Sequence, residues 1–146
     1  MHELPRQLSA HELSALFEGD TRFVQLLAER EDPLAEARKI LSELPEELQV
    51  EALNAHPRIG QRVDVSERSA AEQGSDEDPA LLRALARLNK SYEEKFGFRF
   101  VVFVNERPRA EILPVLRGRL QNPRKQELET ALDELVAIAY DRWLSR

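Results

Sequence analysis

Apolar residues recur at three- and four-residue spacing through most of this chain. Leu13, Leu16 and Phe17 form one group, Phe23, Val24, Leu26 and Leu27 a second, and Leu34, Ala37, Ile40 and Leu41 a third. Further on come Leu81, Leu82, Leu85, Leu88 and Tyr92, then Ile112, Leu113 and Leu116, then Leu128, Leu132, Leu135 and Ile138. Such spacing puts each group on one stripe of a helix, and that stripe has to be buried against a neighbour. The polar residues between the groups are suited to starting helices. Ser9-x-x-Glu12 is a capping box, in which each side chain satisfies the other's backbone amide, and Gly19 stands where the first helix should stop. Asp20 or Thr21 can cap the second helix. Asp32-Pro33, Asp78-Pro79 and Asn122-Pro123 each put a proline at a first helical position, where its missing donor costs nothing. Another helix is expected from Pro45 to about Asn54.

One stretch departs from this period. Phe98 to Val104 reads Phe-Arg-Phe-Val-Val-Phe-Val, strand-preferring residues between Gly97 and an Asn105-Glu106-Arg107-Pro108 turn. No second run of this kind offers a partner, and a lone strand is poorly stable. An extended, irregular segment crossing the core of a helical protein is therefore expected. Pro114 requires the next helix either to begin near Ala110, leaving the proline in its first turn, or to kink. The most polar stretch is residues 64–78. With no repeat, low-complexity tract or linker, the chain reads as one all-α domain over residues 1–146.

Composition narrows the function. At 146 residues, 42% hydrophobic and 33% charged, the chain is large enough for one core and reads as soluble and globular. Its net charge of -6 argues against a nucleic-acid partner, which calls for a basic stripe. The absence of cysteine excludes a disulfide framework, thiolate metal sites and a cysteine nucleophile. There is no apolar run of membrane-spanning length and no signal-peptide pattern. Leu144-Ser145-Arg146 is not the serine-lysine-leucine peroxisomal address, so a cytoplasmic location is expected.

Three histidines are present, none paired at metal-ligand spacing, so no metal site is expected. His11 falls in a capped first turn and reads as a surface residue. His56 follows helical residues and precedes Pro57, which ends the helix. A ring just past a helix C-terminus meets a dipole that favours imidazolium, which could hold a carboxylate or deliver a proton. A purely structural, helix-capping histidine fits the same pattern. Ser69, Glu72 and Gln73 stand at i, i+3 and i+4; on a helix they would share a face and could read the alternating donors and acceptors of a ureide or an imide. Taken alone, they fit an exposed polar turn ending at Gly74 better than a binding site. Arg107, Arg109, Arg117, Arg119, Arg124 and Lys125 read as solvated helix faces with carboxylate partners. Arg142 continues the apolar stripe of Leu135, Ile138 and Ala139, so it is expected to point inward and to need an anion, from protein or substrate.

Four blocks in order resemble the 2-oxo-4-hydroxy-4-carboxy-5-ureidoimidazoline (OHCU) decarboxylases of uric acid breakdown. These are His56-Pro57-Arg58-Ile59-Gly60; Ser69-Ala70-Ala71-Glu72-Gln73; Tyr92 to Val101, reading Tyr-Glu-Glu-Lys-Phe-Gly-Phe-Arg-Phe-Val; and Arg119-Leu120-Gln121-Asn122 leading into a helix with Glu134, Ile138, Ala139 and Arg142. The sequence departs from the pattern at Asn105-Glu106-Arg107, where many members read Asn-Gly-Arg, and at Pro114. The resemblance implies an all-helical fold, commonly a homodimer, acting on a small ureide without cofactor or metal. It implies His56 as catalytic acid/base, with Pro57 beside the substrate and Glu72 assisting proton transfer. Ser69, Glu72 and Gln73 would bind the ring and ureido group, main-chain groups of Phe100, Val101, Val102, Phe103 and Val104 would meet the substrate, and Arg142 would hold an oxygen. Composition and periodicity alone also fit a non-catalytic helical interaction module, and the same fold could serve another ureide acid.

Overall fold

The computed structural model describes residues 7–59 and 78–145, and among these it contains seven helices and no strand. They are α1 (Ala10–Phe17), α2 (Arg22–Leu27), α3 (Pro33–Glu43), α4 (Glu46–Asn54), α5 (Pro79–Phe96), α6 (Arg109–Arg119) and α7 (Arg124–Ser145). Among the described residues, no helix is long and apolar enough to cross a membrane. The chain divides into two compact units, Met1–His56 with Leu132–Arg146, and Pro57–Ala131.

In the first unit the capping chemistry acts as the sequence predicts. The Ser9 hydroxyl accepts from the Glu12 amide at 3.1 Å, and the Glu12 carboxylate accepts from the Ser9 amide at 3.2 Å. Thr21 caps α2 by accepting from the Val24 amide. Asp32 makes no side-chain cap bond, so α3 relies on Pro33 in its first turn. α1 packs on α2, and α2 on both α3 and α4. Their stripes meet in a core that includes Leu13, Phe17, Phe23, Val24, Leu27, Leu34, Leu41 and Leu53. Phe17 and Phe23 touch edge to face, with ring centroids 5.0 Å apart. Each such side chain withdrawn from water contributes roughly 1.5–3 kcal/mol. Residues of α7 are fixed to α3 by polar bonds: the Tyr140 hydroxyl donates to the Leu34 carbonyl at 2.6 Å, and Arg38 donates to Asp133 at 2.6 Å.

The stop of α1 differs from the sequence expectation. Glu18, not Gly19, takes the left-handed conformation, with φ 63°. Gly19 is needed for closeness instead: a Cβ there would stand 3.0 Å from the Cβ of Ala55, the residue before His56.

In the second unit Asp78 caps α5 through the Ala80 amide at 3.0 Å, and Gly97, at φ 81°, ends it. The chain from Phe98 to Val104 is extended and belongs to no strand, as expected. Phe98, Phe100, Val101, Val102 and Val104 are buried there, and Tyr92 forms ring contacts with Phe96, Phe98 and Phe100. Asn105 and Glu106 both have positive φ, 51° and 64°, so the turn that follows uses the conformation in which a glycine would be unstrained. α6 begins at Arg109, one residue before the expected Ala110, which puts Pro114 beyond the first turn and deprives the Ala110 carbonyl of its usual donor. Arg109 and Arg119 are buried, not solvated as expected, while α6 packs against α5.

Replacing Gly19 by alanine is expected to destabilise the fold by about 1–2 kcal/mol in chemical denaturation, because neither Cβ can rotate away from the other. A stabilised variant, the ordinary result of Gly→Ala where space allows, would show that this contact is slack.

Candidate functional site

α4 ends at Asn54, Ala55 caps it, and the His56 amide still reaches back to the Leu53 carbonyl at 3.2 Å. Pro57 has no amide to continue the helix. The imidazole therefore sits where the sequence placed it, just past a helix C-terminus. Its charge state does not follow the expectation. His56 is 5% exposed, and its pKa is pushed down to about 3, first by burial and then by the Arg142 guanidinium. A helix dipole favours a nearby cation by about 0.3–1 kcal/mol. Burial of the charged ring costs several pKa units, each worth about 1.4 kcal/mol, so the dipole loses. The ring is neutral at pH 7.

Arg142 comes to this ring from α7 and is buried, as its place on the apolar stripe implied. One terminal nitrogen donates to the Leu16 carbonyl at 2.9 Å, and the other lies 3.2 Å from the Glu18 carboxylate. The anion it needs is thus supplied by the protein. Sequence reasoning missed Glu18, which read as an ordinary residue beside a helix stop. The chemical consequence is a neutral base beside a guanidinium that already has one carboxylate. An anionic ligand brought next to the pair would offset the cationic field of Arg142 and raise the proton affinity of His56.

The rest of the His56 motif belongs to the second unit, where it is fastened to α5. Arg58 donates twice to Glu93, at 2.6 and 2.9 Å, and the Asn89 amide donates to the Ile59 carbonyl at 3.2 Å. The same Asn89 nitrogen also reaches the Leu85 carbonyl at 2.9 Å, so one side chain joins the loop at Ile59 to the backbone of α5. Pro57 itself is half-buried.

Phe100 to Val104 carry a set of bonds that sequence reasoning did not anticipate. Arg119 donates to the Val101 carbonyl at 2.7 Å, and Arg107 donates to the carbonyls of Phe103 and Val104 at 2.7 and 2.9 Å. Arg119 is paired with Glu127, which is wholly buried and also receives the Tyr92 hydroxyl. Nothing in the helical period marked Glu127 as interior, since it flanks the Leu128 stripe. Ser69, Glu72 and Gln73 lie outside the described residues. His11 is exposed, and among the described residues no group of three or more His, Asp or Glu side chains could hold a metal ion.

The depressed proton affinity of His56 makes stability depend on pH. A base whose pKa is lower folded than unfolded binds fewer protons in the native state. Its contribution is therefore whole above about pH 6.5 and is lost as pH falls from there toward 3. Between pH 7 and pH 5 the wild type should lose on the order of 2 kcal/mol through this group, and His56→Gln should flatten that slope in urea titrations. An unchanged slope in the variant would show that the ring is not held neutral.

Known proteins resemble this chain in sequence and in fold. The sequence model of the OHCU decarboxylase family matches residues 2–144. A 2-oxo-4-hydroxy-4-carboxy-5-ureidoimidazoline decarboxylase from Haloferax volcanii is 36% identical over 113 residues, covering 75% of this chain and 67% of that protein. A uric acid degradation bifunctional protein from Bacillus sp. is 28% identical over 157 residues, 97% of this chain but 30% of that one. Among solved structures, a crystal structure of OHCU decarboxylase in the presence of (S)-allantoin superposes with a TM-score of 0.74 at 28% identity, covering 90% of this chain and 93% of the other. A second relative, from Halalkalicoccus jeotgali, is spanned over 54% of its length, so the chain covers about half to two thirds of these two relatives. On the family match and the Haloferax likeness together, the chain belongs to the OHCU decarboxylase family.

Proposed function

We propose that this protein decarboxylates OHCU to (S)-allantoin, with His56 as its proton-handling group. The observation that carries the reading is a neutral, buried imidazole beside Arg142, in a chain of this family. The substrate bears its carboxylate on a ring carbon that also carries a hydroxyl and adjoins a C=N bond. As the carbon–carboxylate bond breaks, carbon dioxide leaves and the electron pair moves into the C=N unit, whose nitrogen takes up a proton from solvent. No external electron sink is required. The hydroxyl proton of the resulting enol then has to reach the neighbouring carbon on one face, giving a carbonyl and one stereocentre. A neutral imidazole can accept the first proton and return it to carbon. An already protonated ring could not begin that relay.

In this reading Arg142 holds a carbonyl or anionic oxygen of the substrate, and Glu18 keeps the guanidinium in place. Pro57 lies beside the substrate. Ser69, Glu72 and Gln73 bind the ring and ureido group, Glu72 completing the relay, and main-chain groups of Phe100 to Val104 meet polar atoms of the ureide. The protein works as one catalytic domain without metal or cofactor, as a homodimer in the cytoplasm, with neither nucleic acid nor membrane as partner. The family match and the acidic, cysteine-free composition support these roles.

The test generates OHCU fresh from urate and follows optical activity. Wild-type protein should give (S)-allantoin well above the spontaneous rate, and His56→Ala should lower kcat by roughly 10²- to 10⁴-fold. Racemic allantoin at the spontaneous rate from the wild type rejects the assignment. Near-normal turnover by the variant moves the proton chemistry to Glu72.

A further inference from the structure

The second unit contains a buried charged cluster with no part in the chemistry above. Glu127 is fully buried and Arg119 is 7% exposed. Nε of Arg119 donates to the Glu127 carboxylate at 2.8 Å, and one terminal nitrogen lies 2.5 Å from the same oxygen. The other oxygen of Glu127 accepts from the Asn122 side chain at 3.1 Å, and the Tyr92 hydroxyl donates to the carboxylate as well. That leaves the remaining terminal nitrogen of Arg119 for the Val101 carbonyl, at 2.7 Å, while the guanidinium lies 4.6 Å from the centre of the Phe100 ring.

Burying such an ion pair is a poor way to gain stability, because desolvation offsets most of the attraction. A pair of this kind is better suited to fixing geometry. The geometry it fixes here is that of Phe100 and Val101. Along an extended chain, successive carbonyls and amides point to alternate sides. An arginine holding Val101 therefore closes one edge of the segment and sets which main-chain groups face the other way.

We propose that Arg119 is a positioning residue for the decarboxylation: gripped by Glu127, it locks the Phe100–Val101 backbone in the register that presents the opposite edge to the substrate. The proposal rests on the reading that this segment meets the substrate. It concerns the bond to Val101 and the cluster behind it, not contact between Arg119 and the ligand.

Arg119→Lys tests it. A lysine keeps the charge, but its single ammonium cannot satisfy Glu127 and reach Val101 as the planar guanidinium does. Amide hydrogen exchange in the ligand-free variant should speed up roughly tenfold or more in residues 98–104 relative to amides at the centre of α5. Per folded molecule, kcat should fall by about 10²-fold with KM changed less than about threefold. At enzyme concentrations where spontaneous reaction is negligible, the allantoin formed should lose enantiomeric purity, because a loosened edge no longer holds one face of the intermediate. A purely structural residue would change the amount of active protein and leave the purity of the product intact. If the lysine variant does not fold, the paired replacement of Arg119 and Glu127 by methionine removes both buried charges together and is expected to give the same three results. Exchange in 98–104 that stays level with α5, or wild-type kcat and enantiomeric purity per folded molecule, overturns the proposal. Should wild-type protein fail to make (S)-allantoin, the functional reading falls and this catalytic role with it, while the exchange measurement still reports whether Arg119 holds the segment.

Discussion

An imidazole removed from water beside a guanidinium cannot hold a proton at neutral pH, and the first unit is arranged around that constraint. α4 ends at Asn54, two residues before His56, and Gly19 allows a close approach to Ala55 between them, since a Cβ on Gly19 would stand 3.0 Å from that of Ala55. Arg142 is held by the Leu16 carbonyl and by Glu18. The outcome is a base that is neutral at rest and whose proton affinity an arriving anion would increase. This suits a reaction that begins with a carboxylate and must take a proton from a hydroxyl before returning it to carbon.

A second constraint concerns buried main chain. The extended segment from Phe98 to Val104 has no partner strand among the described residues, yet most of its side chains are interior. Its carbonyls need donors. Arginine side chains supply three of them, at Val101, Phe103 and Val104, much as Arg142 serves the Leu16 carbonyl in the other unit. Arginine suits this task because one rigid fork can hold a carbonyl and a carboxylate together. The basic residues of this acidic chain thus do interior structural work at Arg119 and Arg142.

The helical fold was largely legible in the sequence because its signals are local. The Ser9–Glu12 box and the Thr21 and Asp78 caps depend on residues a few positions apart, and each forms as expected. The extended segment was legible for a related reason, since its period breaks from that of the helices and nothing pairs with it. The charge state of His56 was not. A helix end is visible locally, but burial depends on residues far away in the chain, and here burial outweighs the dipole. Glu127 and the interior position of Arg119 escaped for the same reason, each being interior because partners on other elements take up its charge or hydrogen bonds, and half-buried Glu18 escaped because its partner Arg142 comes from the last helix. Arg142 was the exception, because the apolar stripe of α7 runs directly into it.

The central claim, that the imidazole of His56 is neutral and buried, is tested most directly by following its ring resonances by NMR while pH is lowered from 8 in the ligand-free protein. The account predicts one neutral tautomer throughout the range in which an ordinary histidine gains its proton, with protonation only near the acid limit of the fold. A titration centred close to 6.5 or above would contradict it, placing a cation beside Arg142 and leaving the ring unable to take the first proton.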